Sequence, residues 1–191
     1  MPRLEPDPDE GHTANVVAAL ALALTDRLTS AVTGATALPV SDLTALNALA
    51  HIVAAPSVEG LRRILGLTHS GTVRLVDRLA AAGLVDHGPG VDGRTSSVTL
   101  TAEGRAAAAR VADARRATLD AALAGLGPEE RVELDHLAGR VLVALVRGPD
   151  ATRWICRLCD TGACGRYDDR CPIGRGVTRD RAAVPPTGPS T

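Results

Sequence analysis

The segment from residue 57 to residue 105 constrains the fold of this chain more than any other part. Apolar residues recur there at helical spacing, at Leu61, Ile64 and Leu65, before Gly66, a residue suited to end a helix in the left-handed conformation. A second stripe follows Thr68, a residue that caps helix N-termini, and consists of Thr72, Leu75, Val76 and Leu79. The pattern predicts two short helices that meet at a glycine turn.

After Gly83 the periodicity changes from helical to alternating. Residues 84–87 and 95–100 have strand character, a glycine-rich loop joins them, and Thr101 is placed to cap a further helix. Helix, turn, helix and ribbon in this order form the layout of a winged helix-turn-helix. The expected fold class is therefore mainly α with a small β-wing, a winged helix-turn-helix domain plus a helical dimerisation region.

Such a unit can read DNA, because its second helix fits the major groove while the first braces it. The start and outer face of the second helix carry the candidates for contact with bases: Thr68, His69, Ser70, Val73 and Arg74. Arg78 is a candidate for a phosphate, and Arg62 and Arg63 for the backbone. In the ribbon loop, Arg94 is expected to enter the minor groove, with Asp92 orienting the loop.

The run LRRILGLTHSGTVRLVDRLAAAGLV, followed by DGR and VTLTAEGR, resembles the MarR family of bacterial transcriptional regulators. The resemblance implies a homodimer in which the first and last two helices form the dimer region and two wings grip a palindrome. It assigns DNA-reading roles to the reading helix and wing at Arg74, Asp77, Arg78, Asp92 and Arg94. Gly71 departs from the pattern, since a reading helix usually has a better helix former there. The family often senses small phenolic ligands, and the scarcity of aromatic residues here weighs against such a pocket.

Packing also predicts a dimer, because the first and last helices expose more apolar surface than one winged domain covers. The net charge of −1 means that DNA contact must come from local clusters of arginine, the only basic residue besides histidine in the chain. Six segments are expected: an acidic flexible arm, a dimerisation helix, the DNA-binding domain, two C-terminal dimerisation helices, a four-cysteine metal-binding segment and a disordered tail, at residues 1–10, 11–40, 41–101, 102–148, 149–175 and 176–191.

The expected compartment is the cytoplasm. The first ten residues are acidic, unlike a signal peptide, and the apolar run Ala14–Leu24 is too short to cross a bilayer. No membrane association is expected. In the cytoplasm, close cysteines favour metal or redox chemistry over structural disulfides.

Four cysteines lie within 16 residues, at Cys156, Cys159, Cys164 and Cys171. Little around them is apolar, so the segment needs a link between its sulfurs to fold. Four thiolates suit tetrahedral zinc or an iron–sulfur cluster, and metal-free redox thiols are the remaining reading. Trp154 is expected to dock this segment against the dimerisation helices, or to lie over a cluster. If the centre is redox-active or labile, its loss or oxidation would alter the geometry of the dimer helices and so the spacing of the reading helices. A redox or small-molecule effector is therefore an expected partner.

The alternative function is a winged-helix adaptor that docks another protein and carries a structural zinc loop. An enzyme is not expected, since the sequence shows no Ser/His/Asp set, phosphate loop or paired carboxylates in an apolar pocket. His51 and His136 are interpreted as packing or surface residues.

Overall fold

The computed structural model describes residues 8–89, 96–146, 154–168 and 170–174. Six helices and two strands occur in this order: α1 Pro8–Gly34, α2 Val40–His51, α3 Val58–Leu65, α4 His69–Ala81, β1 Val85–Pro89, β2 Ser96–Leu100, α5 Ala102–Ala122 and α6 Pro128–Leu145. The predicted fold class, mainly helical with a small two-stranded wing, is confirmed.

The helix-turn-helix forms from the local signals in the sequence. Ser57 caps α3 by accepting a hydrogen bond from the Gly60 amide, and Thr68 caps α4 by accepting one from the Gly71 amide. Gly66 lies between the helices with a φ of 65°, a conformation that is costly for any residue with a side chain. These three residues fix where each helix begins and ends.

The wing strands β1 and β2 pair antiparallel, with Val85 opposite Leu100 and His87 opposite Val98. Thr101 joins this ribbon to α5. Its hydroxyl donates to the Gly83 carbonyl at 2.7 Å and accepts from the Gly104 amide at 3.0 Å. One side chain therefore ties the end of the reading unit to the start of the next long helix, and the predicted cap is confirmed.

The central helix is α2, whose residues from Asp42 to Leu49 are all buried. Its apolar side chains join those of α3, α4, the wing and α5 in one core. The sequence predicts a cap at Ser41, and that prediction is wrong: Pro39 occupies the cap position and Ser41 lies inside the helix. The Ser41 hydroxyl instead bonds the adjacent carboxylate of Asp42.

The two outer helices, α1 and α6, are largely exposed in the protomer. Large apolar side chains on both face solvent, among them Val16, Leu20, Leu137 and Val141. Helix α1 contacts α5 and α2, and near its end Val32 is buried with Leu43 and Val111. By length and composition alone, α1 from Gly11 to Gly34 could also cross a membrane. The apolar run Ala14–Leu24 is too short to do so, but the whole helix is not.

The segment after α6 contains two short 3-10 turns, Cys156–Leu158 and Arg166–Asp168. The first turn packs against α2. The expected flexible arm at 1–10 lies mostly, and the expected tail at 176–191 entirely, outside the described residues.

Candidate nucleic-acid interface and thiol cluster

Helix α4 has a buried face and an exposed face, as the sequence predicts. The inner stripe of Thr72, Leu75, Val76 and Leu79 is fully buried. On the opposite side His69, Ser70, Arg74 and Asp77 are exposed, and Val73 is half-buried. The exposed side thus presents donors, acceptors and one methyl-bearing residue, the groups that read base edges in a major groove.

Gly71 lies in the first turn of this helix, where a better helix former is usual. A Cβ placed on Gly71 would stand 3.0 Å from the Thr68 hydroxyl, which caps the helix. The departure from the family pattern therefore has a local cause: the glycine leaves room for the cap.

A carboxylate that the sequence reasoning missed, Glu59, organises the cations at the start of the unit. Arg62 holds it with two hydrogen bonds of 2.8 Å, and Arg63 and His69 lie 3.7 and 3.9 Å from its oxygens. The hydrogen bond from Arg62 lowers the pKa of Glu59 below its ordinary value, and the charges of Arg63 and His69 act in the same direction. Three residues expected to contact DNA therefore share one acidic neighbour. The signal was available, since Glu59 precedes Arg62 and Arg63 by one helical turn.

Arg78, the predicted phosphate contact, has a partner inside the protein. Its guanidinium lies 2.6 Å from the carboxylate of Asp42, which is almost fully buried on α2. The hydrogen bond to Asp42 raises the pKa of Arg78. This pair joins α4 to the central helix α2, and because its members are 36 residues apart, no local sequence pattern indicates it. Arg78 remains half exposed.

The wing-tip residues Asp92 and Arg94 lie outside the described residues. Their predicted roles in the minor groove stay predictions. The strands on either side are in place to carry the loop, since β1 ends at Pro89 and β2 begins at Ser96.

All four cysteines come together beyond α6. Cys156 and Cys171 are buried with Ile173, and Cys159 and Cys164 pack against them. Electrostatically, Cys156 is coupled most strongly to Cys159, Cys164 is coupled to Cys171, and weaker effects join the two pairs, from Cys171 on Cys156 and from Cys159 on Cys164. The four side chains are therefore neighbours in the structure, and their predicted role as metal ligands stays a prediction.

The first pair is electrostatically unequal. The hydrogen bond from Cys156, together with the charges of Arg115 and Arg166, lowers the pKa of Cys159 to about 6. The same hydrogen bond and burial raise the pKa of Cys156, which keeps its proton. Arg166 belongs to the cysteine segment itself. Arg115 lies on α5, 44 residues before Cys159 in the sequence, so no local pattern indicates its approach to the thiols.

The thiol cluster is attached to α2 and to the helix-turn-helix. The buried Asn47 amide on α2 donates to the carbonyls of Arg157 and Cys159, at 3.0 and 3.3 Å, and Thr161 donates to the His51 carbonyl at 2.7 Å. The Trp154 ring lies against the turn between α3 and α4: a Cβ placed on Gly66 would stand 3.3 Å from its Cε3 atom. The Arg157 guanidinium also stacks on the Trp154 ring, with its Cζ atom 3.5 Å from the ring centroid. The predicted docking of Trp154 on the dimerisation helices is wrong, since its ring contacts the helix-turn-helix.

Among the described residues, no three histidine, cysteine, aspartate or glutamate side chains are arranged as a finished metal site. The chemistry of the four donors nonetheless fits one kind of ion. Four thiols in a charge-compensated pocket suit a soft, tetrahedral metal, provided that the two pairs move towards each other.

A pocket of about 530 Å³ opens between α2, β2 and α5, beside the cysteine segment. Its wall includes His51, Arg105, Arg116 and Asp160 among mostly apolar residues. The Nε2 atom of His51 is buried and has no hydrogen-bond partner within the described residues. Apart from this histidine, the lining residues of this pocket carry no aromatic ring.

The helix pair, its glycine turn and the antiparallel ribbon define a winged helix-turn-helix protein. The model of the MarR family matches residues 38–95, and the MarR resemblance is thereby confirmed. A comparison with curated proteins gives no match.

Solved structures of MarR-family proteins share the fold. A MarR family protein from Bacillus stearothermophilus is 20% identical with a TM-score of 0.62, and the match covers 70% of this chain and 92% of that one. A MarR family transcriptional regulator from Silicibacter pomeroyi is 26% identical with a TM-score of 0.54, covering 68% and 89%. BpsR of Bordetella bronchiseptica, whose DNA binding is regulated by 6-hydroxynicotinic acid, is 22% identical with a TM-score of 0.50, covering 65% and 91%.

Proposed function

We propose that this protein is a dimeric transcriptional regulator, acting as a repressor, that reads a pseudo-palindromic operator in double-stranded DNA. The observation that carries the proposal is the exposed face of α4, where Arg74 stands with His69 and Ser70 on a helix capped and braced for insertion into a groove. The family match over residues 38–95 supports the same role. Cytoplasmic location follows from this function.

Duplex binding with a steep dependence on salt is the expected result for the purified protein. Each phosphate neutralised by an arginine releases counterions, so the logarithm of the affinity falls with the logarithm of salt concentration, with a slope of about −0.9 per contact. Titration of duplexes selected from a random library, at several salt concentrations, measures this slope. Failure to enrich any sequence, together with a flat salt dependence, favours the alternative of a protein-docking adaptor.

The proposed dimer forms through α1 and α6. Their exposed apolar side chains, such as Leu20 and Val141, make a surface that a second copy of the chain would cover. Two-fold symmetry would then place two α4 helices about 34 Å apart, one turn of DNA.

Light scattering at micromolar concentration is expected to give the mass of two chains. A Leu137→Glu/Val141→Glu variant should shift towards one chain, because both positions are exposed on α6 and a charge there would be buried in the dimer. Glu129→Gln, which changes charge in the first turn of the same helix, serves as the control. A monomeric mass for the unmodified protein would contradict the dimer.

The four cysteines are proposed to bind a metal, with zinc as the first candidate and an iron–sulfur cluster as the second. The support is the convergence of all four sulfurs in one cluster beside Arg115 and Arg166. Anaerobic purification followed by an absorption spectrum and elemental analysis separates the two, because only the iron–sulfur cluster is coloured. The pocket beside His51 is the proposed place for a small-molecule effector. No enzymatic activity is proposed.

A further inference from the structure

The two thiol pairs have different supports in the fold. Cys156 begins the turn Cys156–Leu158, and Cys159 follows it. The Asn47 side chain on α2 donates to the carbonyls of Arg157 and Cys159, and Trp154, two residues before Cys156, lies at the Gly66 turn. Because α2 also holds the reading helix through the Asp42–Arg78 ion pair, the first pair is attached to the DNA-reading side of the protomer.

The second pair is followed by residues that pack on α6. Pro172 lies against Gly139, the buried residue of that helix: a Cβ on Gly139 would stand 3.2 Å from the Pro172 Cβ. Ile173 is buried in the cluster that includes Leu142 and Val146. Within the described chain, α6 makes no extensive contact with another helix or strand. Its non-covalent attachment to the protomer therefore runs largely through the cysteine segment.

We propose that one metal ion, bound by Cys156, Cys159, Cys164 and Cys171, draws the two thiol pairs together and clamps α6 to the helix-turn-helix, so that metal occupancy sets the affinity for DNA. This inference rests on the proposed regulator function. A mechanism that acted only by changing the dimer geometry would be different. In the proposed clamp, the metal site is connected to the reading helix within one protomer, through Asn47 and Trp154.

The clamp follows from the geometry that the metal requires. Each cysteine that still carries a proton releases it to solvent as a divalent ion binds, so that four thiolates and the ion leave a site with a charge of −2 beside Arg115 and Arg166. Zinc–sulfur bonds of about 2.3 Å in a tetrahedron place all four sulfurs around one point. Among the described residues the thiols do not yet stand in this arrangement, so the segments that carry them must rearrange around the ion.

The test compares the reduced, metal-free protein with the same protein loaded with one equivalent of Zn²⁺. Each form first selects duplexes from a random library, and the affinity of both forms for the enriched duplexes is then measured with labelled DNA. We expect one zinc ion per chain and a change in affinity of roughly fivefold or more, the lower end of measured allosteric couplings. A change in either direction supports the clamp.

Variants of Asn47 and Trp154 test the connection between the metal site and the helix-turn-helix without changing the metal ligands. Asn47→Ala/Trp154→Ala should still bind one zinc ion, but its two forms should differ in affinity by less than about twofold. Since Asn47 is buried, Trp154→Ala alone serves if the double variant does not fold, and it should lose part of the difference. Trp154→Phe keeps an aromatic ring over Gly66 and should retain the difference in DNA affinity between the metal-free and zinc-loaded forms.

Three results would overturn the inference. If the protein takes up no zinc, the proposed metal site is wrong. If the metal-free and zinc-loaded wild-type forms bind DNA with equal affinity, the proposed coupling between metal and DNA is wrong, but the regulator function is not affected. A wild-type difference that persists undiminished in the double variant, or in Trp154→Ala where that variant is used, removes the proposed route. Absence of duplex binding by both forms instead overturns the regulator function, and the inference with it.

Discussion

Replacing Arg74 with alanine is expected to weaken operator binding by about 1–3 kcal/mol, roughly 5- to 150-fold, and to relax the preference for one base pair. Arg74 is exposed on the outer face of α4, and no side-chain partner within the described residues holds its guanidinium. A guanidinium in this position can donate two hydrogen bonds to the edge of a guanine. Titration of the operator and of single-base variants with both proteins measures the loss.

Two comparison variants sharpen this prediction. Arg63→Ala, at the proposed backbone contact, should weaken all duplexes alike and reduce the salt slope by about 1. Arg110→Ala removes an exposed arginine from α5, outside the reading unit, and should leave the affinity unchanged. If Arg74→Ala behaves like Arg110→Ala, α4 is not the reading helix, and the regulator function loses its main support.

The second large effect concerns stability. Gly104→Ala is expected to cost about 3 kcal/mol of unfolding free energy, at the upper end for added atoms in a packed site. A Cβ on Gly104 would stand 1.9 Å from the Leu84 carbonyl oxygen, and that oxygen already accepts a hydrogen bond from the Thr101 amide. Because the Leu84 oxygen is a backbone atom, it cannot move away as a flexible side chain would. The added methyl group would therefore push α5 away from the wing.

Thermal unfolding at one fixed protein concentration measures this cost, and the midpoint should fall by roughly 10 °C. The control is Gly11→Ala in α1, where a Cβ meets nothing within 4 Å and helix propensity should raise stability slightly. Equal midpoints for the two variants would mean that the close approach of α5 to the β1 strand does not constrain the fold.

Local signals account for what the sequence predicted well. Ser57, Gly66, Thr68 and Thr101 each act through hydrogen bonds or backbone angles within a few residues, so their roles can be read from neighbours in the chain. The inner stripe of α4 followed from periodicity for the same reason. Pro39 takes the place of Ser41 as the cap of α2 because the helix begins two residues earlier than the apolar pattern suggested.

The contacts that depend on tertiary packing were not predictable. Asp42 and Arg78 are far apart in sequence and meet only because α2 and α4 pack together. Arg115 reaches the thiols from a different helix. Trp154 was expected on the dimerisation helices because it follows them in sequence, whereas the glycine at position 66 leaves a space that its ring occupies.

That placement gives the molecule an internal optical probe. Trp154 is the only tryptophan in the chain, and its indole rests on the bend between α3 and α4. Its fluorescence spectrum and lifetime should therefore register any displacement of that bend, without a label and without interference from a second indole.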